Sequence, residues 1–194
     1  MSTHAAEWYQ VQTVFDGDTI VLENGLTIRY LGINAPEIRH KKNKEEPFGN
    51  EARKENQNLV LHKKVRLEFD QEHQDQYGRT LAYVFLEDGR FVNRLMVEKG
   101  YAWVLYHKPN IMHADDLLKT QKAAIDQNKG IWPIWKKSEG LFFGNAQSMR
   151  FHDVKCKFSK NIRGKNKVIF HSMIDAFKNG YSPCKHCVNR YRDQ

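Results

Sequence analysis

The sequence predicts an α+β protein: a small five-stranded β-barrel wrapped by three helices, followed by a smaller α/β module. Three observations predict this class. Five short segments rich in apolar residues lie between turn signals, as in a compact sheet. Three helical segments, two of them ended by glycine, accompany these strands. All three cysteines and the whole excess of positive charge lie after residue 140 of the 194.

The five predicted strands are each bounded by residues that favour turns. They cover residues 8–15, 19–22, 27–33, 65–69 and 80–86. Asn24-Gly25 favours a tight hairpin turn, because both residue types tolerate positive φ. The charged stretch at residues 34–47 contains two prolines and is predicted to be a surface loop. Three of the predicted barrel strands therefore precede this loop in the sequence, and two follow it.

Three helices are predicted at residues 50–62, 92–99 and 113–128. Asn50 is expected to cap the first helix. Gly100 and Gly130 are expected to end the other two, because glycine readily adopts the left-handed conformation that follows a helix. These elements place the first domain at residues 7–135.

The smaller module is predicted at residues 141–190, after a linker at residues 133–140. A strand at residues 167–171 precedes Ser172 and Asp175, which resemble a capping box that opens a helix ending at Gly180. The module is short, and units of this size commonly need a metal to stabilise them.

Composition limits the class of protein. The chain has no apolar run of about 18 residues, so no membrane-spanning helix is expected. Its first ten residues contain no apolar stretch of the kind found in secretory signals. Three cysteines do not form a disulfide framework. We therefore expect a cytoplasmic monomer that does not associate with membranes.

The net charge of +8 belongs to one part of the chain. Residues 1–140 hold 20 Lys and Arg and 20 Asp and Glu, whereas residues 141–194 hold 11 and 3. A basic surface attracts polyphosphates because binding releases counterions. The alternative is a tail that only adds solubility. The aromatic content and turn signals of this segment argue against plain disorder.

Three short motifs in the first domain supply the groups needed to break a phosphodiester. Asp18 and Asn34 offer oxygen ligands for a hard divalent cation. Arg29 and Arg79 can hold phosphate oxygens and stabilise charge in the transition state. Glu37 remains to orient or deprotonate a water. The competing interpretation is that Asp16 and Asp18 only cap a turn and that Arg29, Glu37 and Arg79 form an exposed salt-bridge cluster.

These motifs, with their order and spacing, resemble the staphylococcal nuclease (thermonuclease) family over residues 8–132. The matching pieces are Asp16-Gly17-Asp18-Thr19, Arg29 to Glu37, Tyr77 to Val84, Val92-Asn93, Lys108-Pro109-Asn110 and Gly130-Ile131-Trp132. The resemblance implies an OB-fold barrel. It also implies a nuclease that leaves 3′-phosphate ends.

The resemblance further implies a role for each matching residue. Asp18, Asn34 and the Ala35 carbonyl would bind calcium, with Asp16 behind them. Arg29 and Arg79 would clamp the phosphate, and Glu37 would act on water. Asn34 replaces an aspartate of the family, so we expect weaker calcium binding.

Two tyrosines are candidates for substrate binding. Tyr77 matches the family and is expected to hydrogen-bond or stack at the substrate. The other tyrosines of the family that stack on the substrate base are shifted in this chain. Tyr106 is the one that remains close to Lys108-Pro109.

The C-terminal module contains a His-x3-Cys pair and a Cys-x2-Cys pair. Zinc takes four such nitrogen and sulfur ligands tetrahedrally. The candidate ligands are His152, Cys156, Cys184 and Cys187. Open alternatives are a redox-active Cys-x2-Cys pair, buried thiols without a metal, and His171 or His186 as the nitrogen ligand.

This module resembles the zinc-binding domain of bacterial Ada alkylation-repair proteins. His152 stands where that family has the cysteine that accepts a methyl group. Histidine cannot replace a thiolate nucleophile, so methyl transfer is disfavoured. We therefore expect a structural zinc site in a module that binds DNA.

The leading hypothesis is a calcium-dependent nuclease acting on DNA, RNA or both, with the basic zinc module tethering the substrate and raising its local concentration. The alternative is a non-catalytic nucleic-acid-binding protein built on the same barrel, which Asn34 favours.

Overall fold

A computed structural model describes residues 7–38, 46–136 and 139–191. Five strands close into a barrel in the order β1-β2-β3-β6-β5. They are β1 (Trp8–Val14), β2 (Thr19–Leu22), β3 (Thr27–Tyr30), β5 (Lys64–Glu68) and β6 (Thr80–Leu86). Neighbours are antiparallel except β3 and β6, which run parallel. The predicted α+β class and the five-stranded barrel are confirmed.

The predicted strand at residues 27–33 is wrong in one respect, because it is broken in two. Gly32 has a φ of 75°, which ends regular pairing after β3. The chain then forms β4 (Ile33–Asn34), which pairs with β7 (Trp103–Val104) outside the barrel. This break sets Asn34 opposite Trp103, while its side chain still contacts Arg29 of β3.

The three predicted helices are present, as α1 (Gly49–Val60), α2 (Val92–Glu98) and α3 (Ala114–Asp126). Asn50 does not cap α1, because the N-cap is Phe48 and the helix begins at Gly49. A Cβ at Gly49 would lie 2.5 Å from the Glu37 carbonyl oxygen, so only glycine permits this close approach. The first helix therefore packs directly against the segment that bears Glu37.

The chain after residue 131 is more ordered than the sequence predicts. The expected linker contains the short helix α4 (Trp132–Trp135) and the start of β8 (Glu139–Asn145); Lys137 and Ser138 lie outside the described residues. A second sheet has the order β10-β8-β9-β11. Its other strands are β9 (Arg150–Asp153), β10 (Lys167–Ser172) and β11 (Ser182–Pro183).

Two helices complete the module, α5 (Met173–Lys178) and α6 (Lys185–Tyr191). The predicted cap of α5 is confirmed, because Ser172 Oγ accepts a hydrogen bond from the Asp175 amide at 3.0 Å. Sequence reasoning missed β8, β9, β11 and α6, which are short or lack alternating polarity.

The module and the barrel segment share a hydrophobic core. Trp103, Ile125 and Trp132 belong to the same buried cluster as Phe142 and Phe151 of the module. Phe177 lies at its centre, with ring centroids 5.1 Å from Trp132 and 5.3 Å from Phe151. No helix among the described residues is long and apolar enough to span a membrane.

Candidate active site and metal cluster

The turn between β1 and β2 presents Asp18 to the segment after β4. A Cβ at Gly17 would lie 2.5 Å from the Ala35 Cβ and 2.8 Å from the Ala52 Cβ. Glycine is therefore required for the turn to approach both neighbours. The Asp18 amide donates to Asp16 Oδ1 at 3.0 Å, which fixes the turn. Asp16 thus lies behind Asp18, as the sequence predicts.

The Asp18 carboxylate is buried and fully engaged. Its Oδ2 accepts a hydrogen bond from the Ala35 amide at 2.6 Å and lies 3.0 Å from Arg29 Nη2. Its Oδ1 accepts from Thr19 Oγ1 at 3.1 Å. Burial raises the pKa of Asp18 to about 7, although Arg29 opposes the shift. A cation at this carboxylate would relieve that cost.

Arg29 is held rigidly beside Asp18. Its Nη1 donates to the carbonyls of Tyr30 at 2.8 Å and Ile33 at 3.0 Å. Its Nη2 also donates to Asn34 Oδ1 at 3.0 Å. Nη1 and Nη2 are thus engaged with protein oxygens, which leaves the Nε–H for a phosphate oxygen. A bidentate contact with phosphate requires one of these bonds to be exchanged.

The three predicted calcium ligands lie in one hydrogen-bonded network. Asn34 Nδ2 donates to the Ala35 carbonyl at 3.0 Å, and the Ala35 amide contacts Asp18. Carboxylate, amide and carbonyl oxygens are the ligand types that calcium takes, so the donor set fits this ion. In the observed arrangement the NH₂ of Asn34 faces the Ala35 carbonyl. Binding through both oxygens therefore requires the amide to turn.

Glu37 is held in place by its backbone, and the part of the chain that the structure describes gives its carboxylate no basic partner. Its amide donates to Glu46 Oε2 at 3.0 Å, and the Glu46 amide donates to the Glu37 carbonyl at 2.8 Å. No Lys, Arg or His nitrogen of the described chain lies within 4.0 Å of the Glu37 carboxylate. The cleft excludes enough water to raise the pKa of Glu37, and Asp18 raises it further, while Arg29, Lys185 and Arg79 oppose the shift.

Arg79 lies across a cleft from Arg29. Asp75 binds its side chain, with Nε and Nη2 each 2.7 Å from Asp75 Oδ2. Partial burial works against ionisation of Asp75, yet the bonds from Arg79 lower the pKa of Asp75 overall. The Arg79 guanidinium lies 5.5 Å from the Tyr77 ring centroid. The salt-bridge cluster of the competing interpretation does not form, because Arg29 pairs with Asp18 and Arg79 pairs with Asp75.

This first cleft has a volume of about 510 Å³ and contains most of the predicted substrate contacts. Arg29, Asn34, Tyr77 and Arg79 line it. Leu105 and His107 line it as well, whereas Tyr106 between them is not among the described lining residues. The structure therefore brings Tyr77, but not Tyr106, to the cleft.

A second cleft of about 410 Å³ lies between the barrel and the module. Asn34 and Glu37 line one side, and Arg150, His152, Cys184 and Lys185 line the other. Asn34 and Arg150 line both clefts, so the two meet there. Sequence reasoning missed Arg150 and Lys185. The one available signal was their position next to the proposed zinc ligands.

The four predicted zinc ligands come together in the module. The ligand atoms of His152, Cys156, Cys184 and Cys187 all lie within 4.8 Å of one another, and His152 Nδ1 is 3.6 Å from Cys156 Sγ. Such separations fit a tetrahedral ion with bonds of about 2.0 to 2.3 Å. A hydrogen bond from Cys187 lowers the pKa of Cys184, and His152 lowers it further.

The two alternative nitrogen ligands do not belong to this cluster. His171 and His186 are exposed, and the described metal-ligand group does not include them. His152 is therefore the histidine that the structure brings to the three cysteines.

Comparisons with known proteins agree with the geometry of the barrel. The profile of the family described as "Staphylococcal nuclease homologue" matches residues 27–134. The "Thermonuclease" of Staphylococcus hyicus is 33% identical over 135 residues, which cover 68% of this chain and 79% of that protein.

Two longer proteins of Bacillus subtilis (strain 168) are also similar. The "SPbeta prophage-derived endonuclease YokF" is 40% identical over 122 residues, which cover 60% of this chain and 41% of that protein. "Endonuclease YncB" is 38% identical over 122 residues, covering 60% and 57%. The chain thus spans less than two thirds of the length of these two endonucleases. The family match ends before the C-terminal module.

Proposed function

The chain belongs to the staphylococcal nuclease family and is a nuclease, and we propose that it is a calcium-dependent phosphodiesterase acting on DNA, RNA or both. The observation that most supports this proposal is the network joining Asp18, Ala35, Asn34 and Arg29. Glu37 lines the second cleft with Asn34, and no basic side chain of the described residues pairs with its carboxylate. Arg79 lies across the first cleft.

Each of these groups has a proposed task. Asp18, Asn34 and the Ala35 carbonyl would hold calcium, which polarises the phosphate when bound. Arg29 and Arg79 would bind the phosphate oxygens and stabilise the charge that develops on them. Glu37 would accept a proton from the attacking water, and its raised pKa suits a general base. Tyr77 would contact the substrate at the rim of the cleft.

The module is proposed to hold a structural Zn²⁺ through His152, Cys156, Cys184 and Cys187. The convergence of these four ligands supports the proposal. Residues 141–194 contribute the entire net charge of +8, which supports a role in binding nucleic acid. The module would thus raise the affinity for the substrate of the neighbouring site.

A non-catalytic nucleic-acid-binding protein is the second candidate. Asn34 favours it, because an amide gives the metal site one negative charge fewer than a carboxylate would. The Glu37 carboxylate favours catalysis instead, because none of the described basic side chains pairs with it and a binding protein has no need of such a group.

Cleavage assays on plasmid DNA and on a folded RNA test the proposal. The protein is incubated with calcium, with magnesium and with EDTA, and the new ends are analysed. We expect cleavage with calcium, none with EDTA, and 3′-phosphate products. Tight binding of either nucleic acid without calcium-dependent cleavage would favour the second candidate.

A further inference from the structure

We propose that Arg150 and Lys185 form a subsite for the phosphate next to the scissile one on a polynucleotide strand. This inference rests on the proposed function, because the scissile phosphate is taken to bind at Arg29 and Arg79. The subsite would belong to the module, although the catalytic groups belong to the barrel. Its ligand class is a polynucleotide with two or more successive phosphates.

Position is the first argument. Arg150, the first residue of β9, lines the first cleft with Arg29 and Arg79 and the second cleft with Glu37. Lys185 lines the second cleft together with Glu37. A strand with its scissile phosphate between Arg29 and Arg79 can therefore continue past Arg150 towards Lys185.

Charge is the second argument. No carboxylate of the described residues lies within 4.0 Å of the half-buried Arg150 guanidinium. Arg150 and Arg29 line the same cleft, so two guanidinium groups of like charge meet there. A partly desolvated cation beside another cation is costly unless an anion binds there. A phosphate supplies that anion and accepts two hydrogen bonds from a guanidinium.

Preorganisation is the third argument. Arg150 Nη1 donates to Ser182 Oγ at 2.6 Å, and Ser182 is fully buried. Ser182 belongs to β11, which pairs with β9 at Arg150. The guanidinium is therefore fixed before substrate arrives, and its remaining donors are available to the cleft. Cys184 immediately follows β11, so a metal at the cluster would also fix Lys185.

The test compares a decanucleotide with a dinucleotide that contains a single phosphodiester. Arg150→Gln and Lys185→Gln are measured separately and together at saturating calcium. The measured quantity is kcat/KM for the decanucleotide divided by kcat/KM for the dinucleotide. We expect this ratio to fall about tenfold in Arg150→Gln, because the loss of one charge-assisted hydrogen bond has an effect of that size. The fall should be larger in the double variant.

Arg163→Gln is the matched control, because Arg163 is an exposed arginine of the same module and lines neither cleft. It should leave the ratio near that of the wild type. Zinc content is measured for every variant. An unchanged ratio in Arg150→Gln, or a loss of zinc that accounts for its defect, would overturn the proposal. Lys185 is exposed, so Lys185→Gln provides a second variant that does not depend on a buried contact.

Binding of the decanucleotide without added calcium, in protein that retains its zinc, separates this inference from the proposed function. If the wild-type protein shows no calcium-dependent cleavage, the proposed function is wrong. A selective loss of binding in Arg150→Gln, absent in Arg163→Gln, would still support the subsite. Equal binding by both variants would overturn it whether or not the protein cleaves.

Discussion

Asn34 determines the charge of the proposed calcium site. Its amide oxygen accepts from Arg29, and its NH₂ donates to the Ala35 carbonyl. Without an ion, these bonds hold the side chain in place. A carboxylate at this position could not donate to the Ala35 carbonyl. One of its oxygens would instead repel the Ala35 carbonyl oxygen, and a cation bound between them would relieve that repulsion.

The variant Asn34→Asp is predicted to bind calcium more tightly. The added charge should lower the calcium concentration for half-maximal cleavage by about tenfold or more, since ligand charge strongly tunes calcium affinity. Calcium titrations of the initial rate measure the change. Asn24→Asp is the control, because Asn24 is an exposed residue of a distant turn. A half-maximal concentration that does not fall would show that Asn34 is not a ligand.

The residues proposed for catalysis and calcium binding could be located from the sequence because most of them lie in short motifs with fixed spacing. Asp18, Arg29, Asn34 and Glu37 occur within twenty residues, and local turns bring them together. Arg150 could not be predicted in the same way. Its place at the clefts depends on how the module packs on the barrel, and no sequence period encodes that packing.

At the level of elements, the His/Cys cluster that is proposed to bind zinc joins two separate parts of the module. His152 lies on β9 and Cys156 follows it, whereas Cys184 and Cys187 lie at the start of α6. The Asp153 amide donates to Cys187 Sγ at 3.4 Å, which adds a contact between the two parts. A bound ion would therefore hold α6 and Lys185 against the second cleft.

The variant Cys184→Ser is predicted to lose zinc. Elemental analysis should find one equivalent in the wild type and much less in Cys184→Ser, because a hydroxyl is a poor zinc ligand. His186→Gln is the control, since His186 lies between the two cysteines but is exposed. It should retain zinc. Full zinc in Cys184→Ser, or its loss in His186→Gln, would contradict the ligand assignment.

The elements themselves were predictable where pattern and turn chemistry agree. The barrel strands alternate or end at turn dipeptides, and Ser172 with Asp175 marks the start of α5. By contrast, β4 and β7 contain two residues each. Strands of that length have no period, so only the tertiary structure specifies them.

At the scale of the whole molecule, Phe177 links the barrel segment to the module. Its ring centroid lies 6.3 Å from Trp103 and 5.7 Å from Trp135. Its carbonyl accepts from Gln121 Nε2 at 2.6 Å, and Gln121 Oε1 accepts from the Val104 amide at 2.7 Å. The barrel segment and the module, which form the two walls of the second cleft, are therefore joined by one hydrophobic core.

The variant Phe177→Ala is predicted to destabilise both parts together. The loss of a buried aromatic ring should lower the free energy of unfolding by about 3 to 5 kcal/mol. The midpoint temperature of unfolding, measured once by circular dichroism and once by zinc release, should fall by the same amount in both measurements. Ile169→Ala, at an exposed position of β10, is the control. A shift in zinc release alone would contradict a shared core.

The central claim is that the barrel site cleaves phosphodiesters with calcium and uses Glu37 on the attacking water. Its most direct test is the initial rate of plasmid cleavage by the wild type and by Glu37→Gln at saturating calcium, with Glu98→Gln as the control for loss of one carboxylate. We predict that Glu37→Gln lowers kcat by about 100-fold or more, as expected for a lost general base. Plasmid binding by Glu37→Gln should be retained, and Glu98→Gln should cleave like the wild type. Equal calcium-dependent rates in the wild type and Glu37→Gln would contradict the account.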